Sequence, residues 1–333
     1  MTRALVTGAS GHIGANLVRE LLDRGYQVDA LVRITSNLAG LDGLDVRLHH
    51  GDILDPLSLD KAMEGVEVLF HAAAVYVNWA ADEADILDPA IVGTENVLRA
   101  AARHGVRRVV VTSSCNAVGF SDSAESPLDE SHWNTELHLP YVRAKVEGER
   151  RAWALAKELG LDMVTVLPTG VLGPHDYKIT PTTAYLRDAM AGQGPILPGM
   201  QNTVHVRDVA IGHVLAAERG RAGERYLLGS ESIPHTRMAS AIATVSGKSP
   251  SILNAPRWLL MAAAAVIETI AGFRGVEPAL TTAMIRTAHG RHIYFDITKA
   301  REELGFAPRS TEETLADTWN WLVRIGQLSP NLA

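Results

Sequence analysis

The stretch Val6-Thr7-Gly8-Ala9-Ser10-Gly11-His12-Ile13-Gly14 places three glycines where a strand-like run at 4–6 passes into a helical pattern over 13–24. A backbone that approaches a pyrophosphate has no room for Cβ atoms, and the helix that follows offers free N–H donors and the positive end of its dipole. An ordinary tight strand-to-helix turn uses the same glycines. Position favours the phosphate reading: the turn follows the first strand and precedes the motifs described below. It predicts a dinucleotide site in which Gly8, Gly11, His12, Ile13 and Gly14 meet the phosphates.

Outward from the turn, apolar runs alternate with helical patterns. Strands are predicted at 28–32, 46–49, 68–70, 108–112 and 163–167, and helices at 57–63, 92–104 and 141–159. Such alternation gives parallel strands with crossover helices, a Rossmann-type doubly wound α/β sheet. After Pro168 the alternation breaks, and Pro174, Pro181, Pro195 and Pro198 with Gly192, Gly194 and Gly199 mark a loop-rich stretch. The expected organisation is a dinucleotide-binding domain over residues 1–170 and a smaller, discontinuous C-terminal substrate lobe over 171–333. Segments near 204–230, the strand-like 225–228 among them, return to the sheet.

Composition narrows the function classes. The chain has 333 residues, a formal net charge of −7 and 47% hydrophobic content, which is ordinary for a globular protein and gives no reason to expect nucleic acid or an anionic membrane as main partner. The single cysteine, Cys115, cannot form an internal disulfide, and the start of the chain has no signal-like segment, so the expected location is cytoplasmic. The most apolar stretch, 258–267, is too short to span a bilayer and reads as a buried or interface helix. The histidines, the His49-His50 pair included, lack metal-ligand spacing, so no metal site is expected.

Discrimination at the adenosine ribose is read at the end of the second strand. An acid there would bind a 2′-hydroxyl and repel a 2′-phosphate. The position falls at about Val32, followed by Arg33, whose guanidinium suits a phosphate, so NADP(H) is favoured over NAD. Asp29 reads as an exposed strand residue. Asp52, after the third strand, is placed to accept from the adenine amino group or simply to make a turn. Ala72 and Ala73, after the fourth strand, leave space for a dinucleotide, while His71 reads as a packed, hydrogen-bonded histidine.

Tyr141-Val142-Arg143-Ala144-Lys145 carries the chemistry. Residues four apart share a helix face, so phenol and ammonium point the same way, and the cation is expected to lower the phenol pKa. Upstream, Thr112-Ser113-Ser114 ends a strand, where Ser114 is placed to orient a carbonyl for hydride attack.

With these motifs in order, the sequence resembles the extended short-chain dehydrogenases/reductases, and within them the dihydroflavonol 4-reductase-like and 3β-hydroxysteroid dehydrogenase-like branch. The resemblance covers nearly the whole chain. It matches the family's glycine turn at Gly8, Gly11 and Gly14, its adenine contact at Asp52 and Ile53, and its Gly-Thr-x-Asn helix at Gly93, Thr94 and Asn96. Its catalytic serine falls on Ser114, with Ser113 the other register, and its tyrosine and lysine on Tyr141 and Lys145. The resemblance implies that Lys145 also holds the nicotinamide ribose and that the segment containing Pro168 and Val171 meets the nicotinamide amide. The Asn often found three residues before Gly93 is here Ala90, which puts a proton relay through that position in doubt.

The resulting expectation is an enzyme that reversibly reduces a ketone or aldehyde, with a small-molecule substrate of medium size and largely apolar character. Apolar and aromatic residues at 75–79 and 177–197 supply that pocket. The alternative is a nucleotide-sugar epimerase or dehydratase with retained NAD. Against it, Ser114 is followed by Cys115 and Asn116 rather than an acidic pair, and no acid stands at position 32. A silent cofactor-sensing scaffold would tolerate loss of the tyrosine or lysine, and both are present. Homodimerisation through the helices at 92–104 and 141–159 is a further expectation.

Overall fold

A computed structural model describes residues 1–77, 82–123, 125–274, 281–288 and 290–330. Strands β1 (Arg3–Thr7), β2 (Gln27–Val32), β3 (Arg47–His50), β4 (Val68–His71), β5 (Arg108–Thr112), β6 (Met163–Pro168) and β9 (Arg225–Leu228) form one parallel sheet in the order β3-β2-β1-β4-β5-β6-β9. Two strands that intervene in sequence, β7 (Gly170–Leu172) and β8 (Met200–His205), join β10 (Ser232–Pro234) in a second sheet of order β10-β8-β7.

The central strands are buried on both faces, which explains their continuous runs of Val, Leu and Ala rather than an alternating pattern. One face is covered by α1 (His12–Asp23) and α7 (Val206–Arg219), whose Leu17, Leu21, Val209 and Val214 join Val6, Val110 and Val166 in a single cluster. The other is covered by α2 (Pro56–Met63), α4 (Thr94–Arg103) and α5 (Pro140–Leu159), through Leu59, Leu98 and Leu155. Helix α5 starts with Pro140, where no N–H is needed, and stops at Gly160 in the left-handed region at φ 67°.

The chain approaches α4 through α3 (Ala84–Asp88) and a π turn, Pro89–Gly93, so the helical stretch begins earlier than the predicted residue 92. Helices α6 (Pro181–Met190), α8 (His235–Ser246) and α11 (Thr311–Arg324) pack on the small sheet through Leu186, Ile242, Leu315 and Leu322.

Helix α9 (Arg257–Arg274) contains the apolar stretch at 258–267 and pairs with α10 (Thr282–Ala288). The expectation of burial is not met. Leu260, Ala264 and Ala271 are its buried residues, while Trp258 is 72% and Phe273 89% exposed. Among the described residues no helix is long and apolar enough to cross a membrane.

A second correction concerns Asp29, which is buried rather than exposed. It accepts from Arg3 Nε at 2.5 Å and pairs with His49 Nε2 at 2.8 Å, which gives the otherwise unexplained His49 a partner. The arginine and histidine hold its carboxyl below the usual range against the opposing effect of burial.

Candidate active site

The strand order reverses direction of growth between β1 and β4, and in open α/β sheets ligands lie beyond the carboxyl ends of the strands at that crevice. Two backbones meet there closely. A Cβ on Gly8, at φ 73°, would come within 2.6 Å of the Ala73 nitrogen, and one on Gly14 would overlap the Gly8 carbonyl. Both glycines are therefore required by the turn, which the Gly11 N–H closes onto Gly8 O at 2.9 Å.

A cleft runs from this turn over the sheet edge, lined by Gly8, Ser10, Gly11, Arg33, Asp52, Ile53 and 72–75. It meets a second, smaller cavity lined by Tyr141, Lys145, Thr112 and Ser113, the two sharing Ala73, Ala74 and Val75. Through these shared residues the two adjoin, from the β2 end to the tyrosine.

The predicted contacts separate into two groups. Arg33, Asp52, Ile53, Ala72 and Ala73 line the cleft with Gly8 and Gly11. His12, Ile13, Pro168 and Val171 line neither cavity. The His12 ring is buried against the 173–176 turn, 3.8 Å from Asp176, and Ile13 and Val171 pack on the core. What His12 and Ile13 can offer a phosphate is the free N–H donors of the first helical turn, not their side chains.

Asp52 accepts from Leu54 N at 2.9 Å, the turn role allowed for it, while lining the cleft. The Gly93-Thr94-x-Asn96 motif has a direct physical reading. Gly93 makes room for Ile53, whose Cδ1 would lie 2.6 Å from a Cβ there, and Asn96 donates to Ile53 O at 3.1 Å. Thr94 bonds His71 Nε2 at 3.0 Å, and His71 Nδ1 bonds Thr7 at 2.7 Å. Buried between two hydroxyls, His71 is pushed down to about 3 and stays neutral.

At the tyrosine end, Tyr141 and Lys145 share the inner face of α5. The Lys145 Nζ lies 5.9 Å from the Tyr141 ring centroid and donates to Thr112 O at 3.3 Å. Burial pushes Lys145 down to about 8, with the Glu149 carboxylate opposing. The expected lowering of the phenol is not found. Burial drives the Tyr141 pKa upward, the Ser114 hydroxyl opposes it, and Lys145 is directed instead at the strand carbonyl. Tyr141 therefore stands protonated.

The two serines have different partners. Ser113 donates to Glu149 Oε2 at 2.6 Å, whereas Ser114 faces Tyr141 and accepts from Asn116 N and Nδ2, each at 3.2 Å. Tyr76 stands against the Tyr141 ring at 4.8 Å, with its hydroxyl 2.7 Å from Thr182. Trp79, expected in the pocket wall, lies outside the described residues.

Sequence reading missed two features here, whereas Tyr76 belongs to the stretch 75–79 expected at the pocket. Glu149 binds Arg225 at 2.8 and 3.1 Å across 76 positions. Lys178, from beyond β7, enters the cleft that holds Arg33. The i,i+4 spacing of Lys145 and Glu149 was visible, but its buried partner was not. Ala90 packs against Gly148, where a Cβ would meet Ala90 O at 2.8 Å, and brings no polar side chain to the cavity. Cys115 lines neither cavity; it is buried in a core cluster with Val118 and Val142, its thiol pushed up to about 12. Among the described residues no group of three or more metal-ligating side chains occurs.

Residues 4–229 match the NAD dependent epimerase/dehydratase family. A putative dihydroflavonol 4-reductase of Synechocystis sp. is 35% identical over 329 residues, covering 96% of this chain and 94% of the relative. Sterol demethylase protein B of Methylococcus capsulatus is 35% identical over 331 residues, covering 97% and 99%. The crystal structure of gox2253 superposes with a TM-score of 0.86 at 34% identity, covering 99% of this chain and 100% of that one.

Proposed function

Because the chain belongs to the NAD-dependent epimerase/dehydratase family of extended short-chain dehydrogenases/reductases, we propose that it reversibly reduces a ketone or aldehyde with NADP(H). It is an NAD(P)-dependent oxidoreductase; the phosphorylated cofactor, the carbonyl substrate and the residue roles are the proposal. The observation that carries it is the placement of Tyr141 beside Ser114 and Lys145, in a cavity that joins the cleft lined by Gly8 and Arg33.

The nicotinamide, when bound, supplies hydride to the carbonyl carbon. The chain's own residues handle the oxygen. Ser114 donates to it and fixes its direction, and Tyr141 transfers the phenolic proton as negative charge develops there. Lys145, charged below about 8, holds the nicotinamide ribose and offsets the phenolate left behind. In the reverse direction Tyr141 takes the proton back. A raised pKa makes the phenolate hard to form, so oxidation calls for the ammonium beside it.

At the ribose end, Val32 and Arg33 supply no acid to bind a 2′-hydroxyl and one cation for a 2′-phosphate, which supports NADP(H) over the retained NAD of an epimerase. A medium-sized, largely apolar substrate is supported by the aromatic wall of Tyr76 and Tyr141. Relatives named for a dihydroflavonol and for a sterol agree with that class. The test follows the near-ultraviolet absorbance of NADPH, with NADH in parallel, against aromatic ketones, aldehydes, steroids and flavanonols. Turnover of one class with NADPH is expected. Silence across the panel, with NAD retained by the purified protein, would replace this reading with the epimerase one.

A further inference from the structure

Two cations line the adenosine end of the cleft, with Asp52 in the same wall and Asp176 acting on one of them from the turn behind. Arg33 follows β2, Lys178 lies between β7 and α6, and both line the cleft with Ser10 and Ser36. Among the described residues neither side chain makes a hydrogen bond or ion pair. The pKa of Lys178 is lowered by burial first and by Arg33 second, with Asp176 opposing. Two cations lining one cleft favour an anion that reaches both.

The turn that carries Lys178 is built to stay in place. Asp176, buried at 1% exposure, accepts from Thr180 N at 2.9 Å and Thr180 Oγ1 at 2.7 Å. His175 and Ile179, at φ 67° and 50°, occupy the left-handed region that costs a side-chain-bearing residue energy. Tertiary contacts hold them there: His175 packs on Trp321 at 5.0 Å, and Tyr177 meets the same indole edge-on at 5.0 Å. The phosphate-binding helix grips the turn as well, since Asn16 Nδ2 donates to Pro174 O at 3.0 Å. A lysine on so constrained a turn loses less freedom on meeting a ligand than one on a loose loop.

We infer that Lys178 and Arg33 form a two-cation seat for the adenosine 2′-phosphate, one cation from each side of the cleft. The inference rests on the NADP(H) reading and goes beyond it. Specificity for the phosphorylated cofactor is divided between the sheet and the turn leading into α6, so the phosphate ties the adenosine end to the elements that carry Thr182 and, through it, Tyr76.

Binding is measured directly, without turnover, by titrating NADPH, NADH and adenosine 2′,5′-bisphosphate into the wild type, Lys178→Gln, Lys178→Arg and Arg33→Gln. Lys178→Gln should weaken NADPH and the bisphosphate by roughly ten- to a hundredfold, the worth of one charge-assisted hydrogen bond, and leave NADH unchanged. Lys178→Arg should recover most of the loss, and the salt dependence of NADPH binding should flatten in Lys178→Gln. If Arg33→Gln loses the preference and Lys178→Gln keeps it, or if Lys178→Gln weakens NADH equally, the inference is wrong and the NADP(H) reading stands. If the wild type binds NADH as tightly as NADPH, the cofactor reading itself fails and this inference with it.

Discussion

Replacing Glu149 by leucine should destabilise the protein by about 3–5 kcal/mol, as expected when one member of a buried ion pair is removed. The carboxylate is 1% exposed and accepts from Ser113 at 2.6 Å, Thr165 at 2.8 Å and two nitrogens of Arg225, itself 8% exposed. Arg225 also donates to the carbonyls of Glu130 and His132, at 2.7 and 2.8 Å, and lies 3.9 Å over the Trp133 ring. Removing the carboxylate strands a guanidinium and two hydroxyls in the interior, a loss comparable to much of the roughly 5–15 kcal/mol that holds a typical protein folded. Replacing both members, Glu149→Leu with Arg225→Met, leaves no charge to strand and should recover most of the loss. Urea unfolding followed by tryptophan fluorescence, with both single variants and the double, decides it. A Glu149→Leu cost below about 1 kcal/mol, or a double variant equal to the sum of the singles, would refute the pairing argument. The gentler Glu149→Gln also removes the charge that supports Lys145, so the alkaline limb of NADPH binding should move to lower pH.

Tyr141→Phe should cut turnover by about a hundred- to ten-thousandfold while NADPH affinity, read by fluorescence, holds; retained turnover would dismiss the proton donor. Gly14→Ala forces a Cβ onto the Gly8 carbonyl and should lower stability by about 1–3 kcal/mol and weaken NADPH binding; an unchanged melting temperature and affinity would count against the close-approach argument. His213 is fully buried between Thr112 Oγ1 at 2.8 Å and Val209 O at 2.7 Å, and burial pushes it down to about 4. The unfolded chain protonates it near 6.5, so its contribution is complete above that pH and is lost as pH falls from about 6.5 to 4. His213→Gln should flatten that acid decline by up to about 1.4 kcal/mol per pH unit, and a steeper decline would reverse the sign of the argument. Cys115 should resist iodoacetamide at about pH 8 in the folded protein and react once urea exposes it; rapid native labelling would show an accessible thiolate.

Much of the dinucleotide half was legible because its signals are local. The glycine turn, the apolar runs from β1 to β6 and the Tyr141/Lys145 spacing each lie within a few residues and report a period or a steric demand. Features made by pairing distant segments were not legible. Asp29 reads as exposed by strand alternation until Arg3 and His49 close over it, and Lys145 reads as a partner for the phenol until the Thr112 carbonyl is seen beside it. The small β7-β8-β10 sheet hid among prolines and glycines because its outer strands have three residues each, too few to display a period. The 258–267 stretch shows the limit of hydrophobicity as a signal, since composition alone does not state which apolar face a protein covers.

Strand β9 imposes an order on biosynthesis. The edge of β6 has no neighbour until residues 225–228 emerge from the ribosome, after β7 and β8 have already been made. Until then a nascent chain presents a flat, apolar, unpaired strand, the kind of edge that recruits other chains. A fragment ending near residue 170, although it carries the whole glycine turn and Tyr141, would display that edge permanently. Shortening this protein to its nucleotide half would yield an aggregating species rather than a minimal cofactor binder.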